Sequence, residues 1–253
     1  MEIQIDYKNL IFGIRAVIEA INSGKELEVV YVAQNAKGPL MGELRKLLKE
    51  KAIPSKQVPT QAFNKYRRDN HQGVMAAISP IQYHQLEGLV PSLYEKGKIP
   101  FFLILDHITD VRNFGAICRS ASCFGVDAVI IPFKGSAMIN EFAVKSSAGA
   151  LLHLPVCRVK SLEAAVEFLK ESGLQIFSCT EKASNDFKKS DYQSPLVIIM
   201  GAEDKGITYA LLEQSDGRIQ IPITGPIESL NVSVASGIIL SEVFSQRKNA
   251  GDQ

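Results

Sequence analysis

Leu196-Val-Ile-Ile-Met-Gly-Ala-Glu-Asp-Lys-Gly206 opens with five apolar residues and closes with a polar loop set between two glycines. An unbroken apolar run of this length suits a strand buried on both faces, the condition of a strand in a parallel sheet covered by helices. Apolar strand-like runs also stand at Phe101–Leu105, Ala128–Ile131, Gln175–Cys179 and Arg218–Ile221. Between and after them, helical spacing covers Asn113–Phe124, Glu141–Ala148, Ser161–Ser172 and Asn231–Arg247. Strands and helices in alternation predict an α/β domain built on a mostly parallel sheet.

Upstream, the pattern is again mixed but shorter. Ile14, Val17, Ile18 and Ile21 share one face of a helix predicted over Phe12–Ile21. Leu27–Ala33 reads as a buried strand, Pro39–Lys51 as a helix started by its proline, and Val74–Ile78 as a closing strand. Pro80, Gly88, Pro91, Gly97 and Pro100 then punctuate the chain, which reads as a linker. The expected organisation is a small domain over residues 1–80, a linker region over 81–97 and a second domain over 98–253.

Composition narrows the class. A chain of 253 residues with 46% hydrophobic and 22% charged residues is that of a folded protein, with only Lys248 to Gln253 reading as a polar tail. Cys118, Cys123, Cys157 and Cys179 form no C-x-x-C pair and no metal-ligand spacing, so reduced thiols and no metal are expected. Met1 to Asn9 alternates polar and apolar residues, without a basic-then-apolar leader. No apolar run approaches the ~20 residues needed to span a bilayer. A soluble, cytoplasmic protein without a membrane partner is the expectation. A net charge of +1 gives no global field for a polyanion, so such a partner would have to meet a local patch.

Open α/β sheets bind ligands beyond the carboxyl ends of their strands, and three polar, glycine-bearing loops fall there. In the first, Asp106 to Arg119, an apolar stripe of Phe114, Ile117, Cys118, Ala121 and Phe124 leaves Arg119 on roughly the opposite face. Asn113 is expected at the helix mouth, where free N–H groups attract anions. Gly115 is expected to leave room for a substrate one turn before Arg119. A solvent-facing arginine is the plainer alternative. In the second loop Gly201 permits close backbone approach or positive φ, while the Lys-Ser/Thr of a phosphate-binding loop is replaced by Ile207-Thr208. Glu203 alone reads as a helix-start carboxylate. The third, Ile221 to Ser233, turns at Gly225-Pro226 and opens a long helix at Ser229-Leu-Asn-Val-Ser233. Ser229 or Asn231 as a simple helix cap accounts for one polar residue there, but not for the whole loop.

Taken together, D-x-x-N-x-G-x-x-x-R at Asp110–Arg119, M-G-A-E-x-x-G at Met200–Gly206 and I-P-I-x-G…S-L-N-V-S-V-A at Ile221–Ala235 resemble the three motifs of the SpoU (TrmH-type) branch of the SPOUT methyltransferases. Phe12-Gly-Ile-Arg-Ala-Val-Ile-Glu-Ala20 and His71-Gln-Gly-Val74 resemble that family's N-terminal, ribosomal-protein-L30e-like substrate-binding domain. The pattern is most similar to RlmB-type enzymes, which methylate a guanosine ribose in large-subunit ribosomal RNA. One departure is Val111, where the family usually carries proline; it supplies no reacting group, so only the loop shape is affected.

The resemblance implies a SPOUT α/β knot, a deep trefoil, in the C-terminal domain. It implies S-adenosylmethionine as cofactor, held largely through main-chain groups of Gly201, Ile221 and Leu230, and RNA, ribosomal RNA first, as partner. It implies a homodimer as well. Arg119 is implied as the residue nearest the methyl transfer, with Asn113, Glu203, Ser229 and Asn231 as its supporting shell. A guanidinium is effectively always charged, so Arg119 is expected to orient the hydroxyl and stabilise developing negative charge rather than take its proton. Lys65, Arg67 and Arg68, in a loop that also carries Tyr66, are candidate RNA contacts; a solvated charged loop is the plainer reading. Transfer RNA as substrate, a non-catalytic RNA-binding ribosome-assembly protein, an antibiotic-resistance methylase and an ordinary Rossmann-type enzyme are the competing readings. The last lacks its glycine fingerprint.

Overall fold

The computed structural model describes residues 9–66, 68–227 and 229–251. The chain divides into two compact units, Met1–Ile81 with Ile139–Glu141, and Gln82–Met138 with Phe142–Gln253.

In the first unit, four strands are β1 (Leu10–Phe12), β2 (Leu27–Ala33), β3 (Ser55–Val58) and β4 (Val74–Ile78), in the order β1-β4-β2-β3. β4 runs antiparallel to β1 and β2, whereas β2 and β3 are parallel. Helices α1 (Ile14–Asn22) and α2 (Pro39–Glu50) supply the other layer. Their apolar faces, Val17, Ile18 and Ile21 of α1 and Met41, Leu44 and Leu48 of α2, close over Val30, Val32, Val74 and Ala76. The α1 helix starts later than its spacing predicted, because Phe12 belongs to β1 and Gly13 turns the chain at φ 93°. A tripeptide strand carries too little periodicity to be read in advance.

The second unit is an α/β fold on one eight-stranded sheet. Its strands are β5 (Tyr83–His84), β6 (Phe101–Asp106), β7 (Ala128–Pro132), β8 (Val156–Val159), β9 (Gln175–Cys179), β10 (Asn185–Asp186), β11 (Leu196–Gly201) and β12 (Gly217–Gln220). They lie in the order β10-β12-β9-β11-β6-β7-β8-β5, and every pairing is parallel. All six residues of β6 are buried, as their unbroken apolar run requires. The helices are α3 (Leu86–Glu95), α4 (Val111–Cys123), α5 (Glu141–Ser146), α6 (Leu162–Glu171), α7 (Tyr209–Gln214) and α8 (Val232–Gly251).

Of the stretch 81–97, expected as a linker, all but Ile81 is instead part of this unit. Tyr83 and His84 pair with Val156 and Cys157, and Leu86, Val90 and Leu93 enter the main core. Pro91 sits inside α3, so its presence marked a tolerated helical proline rather than a break. The topology also places a switch point. From β6 the chain lays β7 and β8 on one side, then crosses to lay β9 and β11 on the other, so the loops after β6 and β11 diverge at neighbouring strands.

Candidate active site

The loop after β11 is drawn tight by the strand beside it. Ala202 N donates to the Asp106 carbonyl at 3.1 Å, and Thr208 N and Oγ1 both donate to Asp106 Oδ2 at 2.7 Å. Asp106 is buried at the end of β6, so its carboxylate is satisfied by closing the neighbouring loop. Within that loop Gly206 N donates to Ala202 O at 2.7 Å. A Cβ on Gly201 would stand 2.3 Å from the Gly206 carbonyl carbon. Close approach is thus what this glycine provides; positive φ belongs to Gly206, at 65°.

Beyond this loop lies a pocket of about 320 Å³, within the range of small-ligand sites. Gly201, Glu203, Ile221, Ser229 and Leu230, all expected site residues, line it. Met200, Ile207, Leu212 and Val232 give it apolar walls, and Glu181, Lys182, Asp204 and Lys205 a rim of both signs. Thr180 to Lys182, the loop after β9, was absent from the sequence-based site, although the rule that selected the other loops selects it too: a polar segment following a parallel strand. Cys179 also lines the pocket; burial, reinforced by the charge of Glu181, pushes its thiol up to about 12, so it is a neutral wall rather than a nucleophile.

At the start of α8 the Asn231 amide serves two purposes. Its Oδ1 accepts from Ser233 N at 3.0 Å and Ser233 Oγ at 2.5 Å, which is N-terminal capping. Its Nδ2 donates to Glu203 Oε1 at 2.7 Å and to Asn113 Oδ1 at 3.1 Å. Glu203 Oε1 also accepts from Val232 N at 2.9 Å. Glu203 is therefore a helix-start carboxylate, but for α8 rather than for the segment that follows it, where the helix-dipole field favours it. One residue from each of the three loops meets in this network.

Two expectations about the first loop change. The α4 helix begins at Val111, and the Asp110 carboxylate accepts from Arg112 N and Asn113 N at 2.9 and 2.8 Å. The N–H groups expected to attract an anion are taken by this cap. Gly115, expected to open space for a substrate, is buried, and a Cβ there would lie 2.0 Å from Ser146 Oγ and 2.9 Å from the Ala143 carbonyl. Its role is close packing of α4 on α5.

Arg119 is exposed on α4 and makes no hydrogen bond or ion pair among the described residues. It does not line the pocket, nor does it join the Asn113–Asn231–Glu203 network. Six residues along a helix amount to about 240° and ~9 Å, which separates Arg119 from Asn113. In the first unit Lys65 and Arg68 are exposed, with Lys65 Nζ 5.9 Å over the Tyr66 ring. That ring packs against Phe12 at 5.2 Å, so it is partly engaged by its own fold. Arg67, the third expected RNA contact, lies outside the described residues. Among the described residues no group of three His, Cys, Asp or Glu is placed to hold a metal, and no helix is long and apolar enough to cross a membrane.

A family model described as the SpoU rRNA Methylase family matches residues 100–241, and one described as RNA 2'-O ribose methyltransferase substrate binding matches residues 10–84. Bacillus subtilis YacO, assigned by name to the TrmH family of tRNA/rRNA methyltransferases, is 33% identical over 252 residues, covering 100% of each chain. A protein of Staphylococcus saprophyticus with the same family assignment is 35% identical over 244 residues, covering 96% of this chain and 98% of its own. Among solved structures, the SpoU methyltransferase AviRb from Streptomyces viridochromogenes, in complex with AdoMet, superposes with a TM-score of 0.61 at 22% identity, covering 95% of this chain and 90% of that one. Likeness at that identity speaks for the fold.

Proposed function

The chain belongs to the SpoU rRNA methylase family, and on that premise we propose that it transfers a methyl group from S-adenosylmethionine to a ribose 2′-hydroxyl in RNA, specifically of a guanosine in large-subunit ribosomal RNA. The observation that carries the reading is the Asn113–Asn231–Glu203 network beside a pocket lined by Gly201, Ile221 and Leu230. The pocket fits the cofactor's chemistry: apolar walls suit a flat base, and a rim with lysines and carboxylates suits an amino-acid tail. When bound, the cofactor supplies an electrophilic methyl group on a sulfonium.

The protein's part is alignment and electrostatics. Glu203 and Asn231 hold the start of α8 against the loop after β11, which fixes the wall formed by Ser229 and Leu230. Arg119 orients the attacking hydroxyl and stabilises the negative charge that grows on it. It is free of competing contacts among the described residues, which suits a group waiting for substrate. Lys65, Arg67 and Arg68 are assigned to RNA phosphates. A trefoil-knotted C-terminal half, a homodimer and a cytoplasmic location belong to the same reading, on the strength of the family motifs.

The test uses purified protein, radiolabelled S-adenosylmethionine and separate pools of unmodified ribosomal and transfer RNA, alongside Arg119→Ala. Alkali cannot cleave next to a 2′-O-methylated ribose. Label in an alkali-resistant dinucleotide from ribosomal RNA is the expected result. Arg119→Ala should lower turnover about 10²–10³-fold with cofactor affinity unchanged; an unaltered turnover would remove Arg119 from the reaction. Label confined to transfer RNA would keep the chemistry and replace the substrate, an alternative that the tRNA/rRNA naming of both relatives sets beside ribosomal RNA.

A further inference from the structure

All seven residues from Gly201 to Ile207 line the pocket beyond β11, so the shape of this one loop sets a wall of it. Glu203, Asp204 and Lys205, at the loop's tip, are exposed. A loop with so little burial at its tip takes its shape from the bonds at its ends.

Those bonds converge on Asp106. At the loop's start Ala202 N donates to the Asp106 carbonyl, and at its end Thr208 N and Oγ1 both donate to Oδ2. The other carboxylate oxygen, Oδ1, stands 2.7 Å from His107 Nδ1, and His107 takes a left-handed φ of 59° there. Asp106 is 2% exposed. Neither Asp106 nor Thr208 lines the pocket, so both act on it only through the loop.

Each of the two residues is unfavourable for the element that carries it. The five residues before Asp106 in β6 are Phe, Phe, Leu, Ile and Leu. A carboxylate buried at the end of that run carries a desolvation cost that an apolar side chain avoids. Thr208 stands at the N-cap of α7 (Tyr209–Gln214), yet its side chain accepts no bond from that helix, although a capping oxygen there would stabilise it. The hydroxyl is turned to Asp106 instead. Both local losses serve one result, a loop closed beside the pocket.

We propose that Asp106 and Thr208 are positioning residues for the cofactor, forming a clasp that holds the Gly201–Ile207 wall in its binding shape before S-adenosylmethionine arrives. The inference rests on the cofactor reading above. When only a fraction of the free protein is competent to bind, the apparent dissociation constant rises by the inverse of that fraction. A hydrogen bond to a charged group is worth roughly 10- to 100-fold in such an equilibrium. Loss of the Thr208 hydroxyl is therefore read as weaker binding, whereas turnover at saturating cofactor, where the loop is again closed, is largely kept.

The experiment compares the full chain with Thr208→Val, which removes the hydroxyl while keeping the side-chain shape and the backbone bond to Asp106. Titration calorimetry with S-adenosylmethionine should show a Kd raised about 10-fold, and kcat at saturating cofactor should stay within about 3-fold. Thr208→Ser restores the donor and should return Kd to within about 3-fold of the parent value. Ser161→Ala is the control: it removes the oxygen that caps α6 through Ala164 N, outside the pocket lining, and should lower Tm without moving Kd. A Thr208→Val Kd within about 2-fold of the parent, less than one such bond is worth, would overturn the clasp as a binding device. So would equal weakening by Ser161→Ala, or a Thr208→Ser variant as weak as Thr208→Val. A parent protein that binds no S-adenosylmethionine would bring down the cofactor reading itself. Hydrogen exchange in the cofactor-free parent gives a reading that needs no variant. The Ala202 and Gly206 amides, both bonded in the closed loop, should already be protected, and protection that arises only with cofactor would overturn the preformed wall.

Discussion

The two helices that start beside the site, α4 and α8, begin in different ways. At α4 the cap is local: Asp110 accepts from Arg112 N and Asn113 N, two and three residues on. At α8 the Asn231 oxygen caps Ser233 locally, but the first helical N–H belongs to Glu203, 29 residues back, and the amide nitrogen reaches Asn113, 118 residues back. A local cap stabilises one helix and nothing more. A cap assembled from three separate loops makes the helix start a part of the pocket wall, so it couples stability to site geometry.

That contrast can be broken most directly at Glu203. Glu203→Ala strips the acceptor from both Val232 N and Asn231 Nδ2, and a shift of about 1 Å in the wall should lower kcat/KM ~100-fold; a loss under about 3-fold would reduce Glu203 to an ordinary cap. Asn231→Asp sharpens the contrast by splitting the amide. The oxygen that caps Ser233 is kept, but the donor to Glu203 and Asn113 is lost and a carboxylate is set against that of Glu203. Turnover should therefore fall by at least about 10-fold, more than one positioning hydrogen bond is worth. If thermal unfolding moves and turnover does not, Asn231 is a cap alone. Asp110→Ala should do the reverse, costing about 1 kcal/mol, or ~2–4 °C in Tm for a chain of this size. Methyl transfer at a temperature well below unfolding should stay within about 3-fold, and calorimetry beside a turnover assay reads both. Ser233→Ala should be smallest, near 0.5 kcal/mol, since Asn231 Oδ1 keeps its bond to Ser233 N.

The same division governs what could be read in advance. Long buried strands and amphipathic helices were legible because their signals are local and periodic, as at β6, β11 and α4. Gly201, Ile221 and Leu230, which the family motifs imply as cofactor contacts, line one pocket. What local reading misassigned depends on distant partners. Gly115 is a glycine because Ser146 and Ala143 press on it, and neither is visible from Asp110–Arg119. Pro91 looked like a boundary because nothing nearby shows that Leu86, Val90 and Leu93 are claimed by the main core. Asp106 passed as a loop residue although it pins Thr208, 102 residues later.

The central pairing of β6 with β11 has a consequence in time. Phe101 pairs with Leu196, so the ribosome completes one partner roughly 95 residues before it completes the other. At ~5–20 residues per second the six buried residues of β6 wait on the order of 5–20 s with one edge unmatched, an interval in which such an edge can recruit another chain. The sheet therefore closes late in synthesis, and a chain ended before Leu196 should be recovered as aggregate, which a solubility assay of that truncation reads directly.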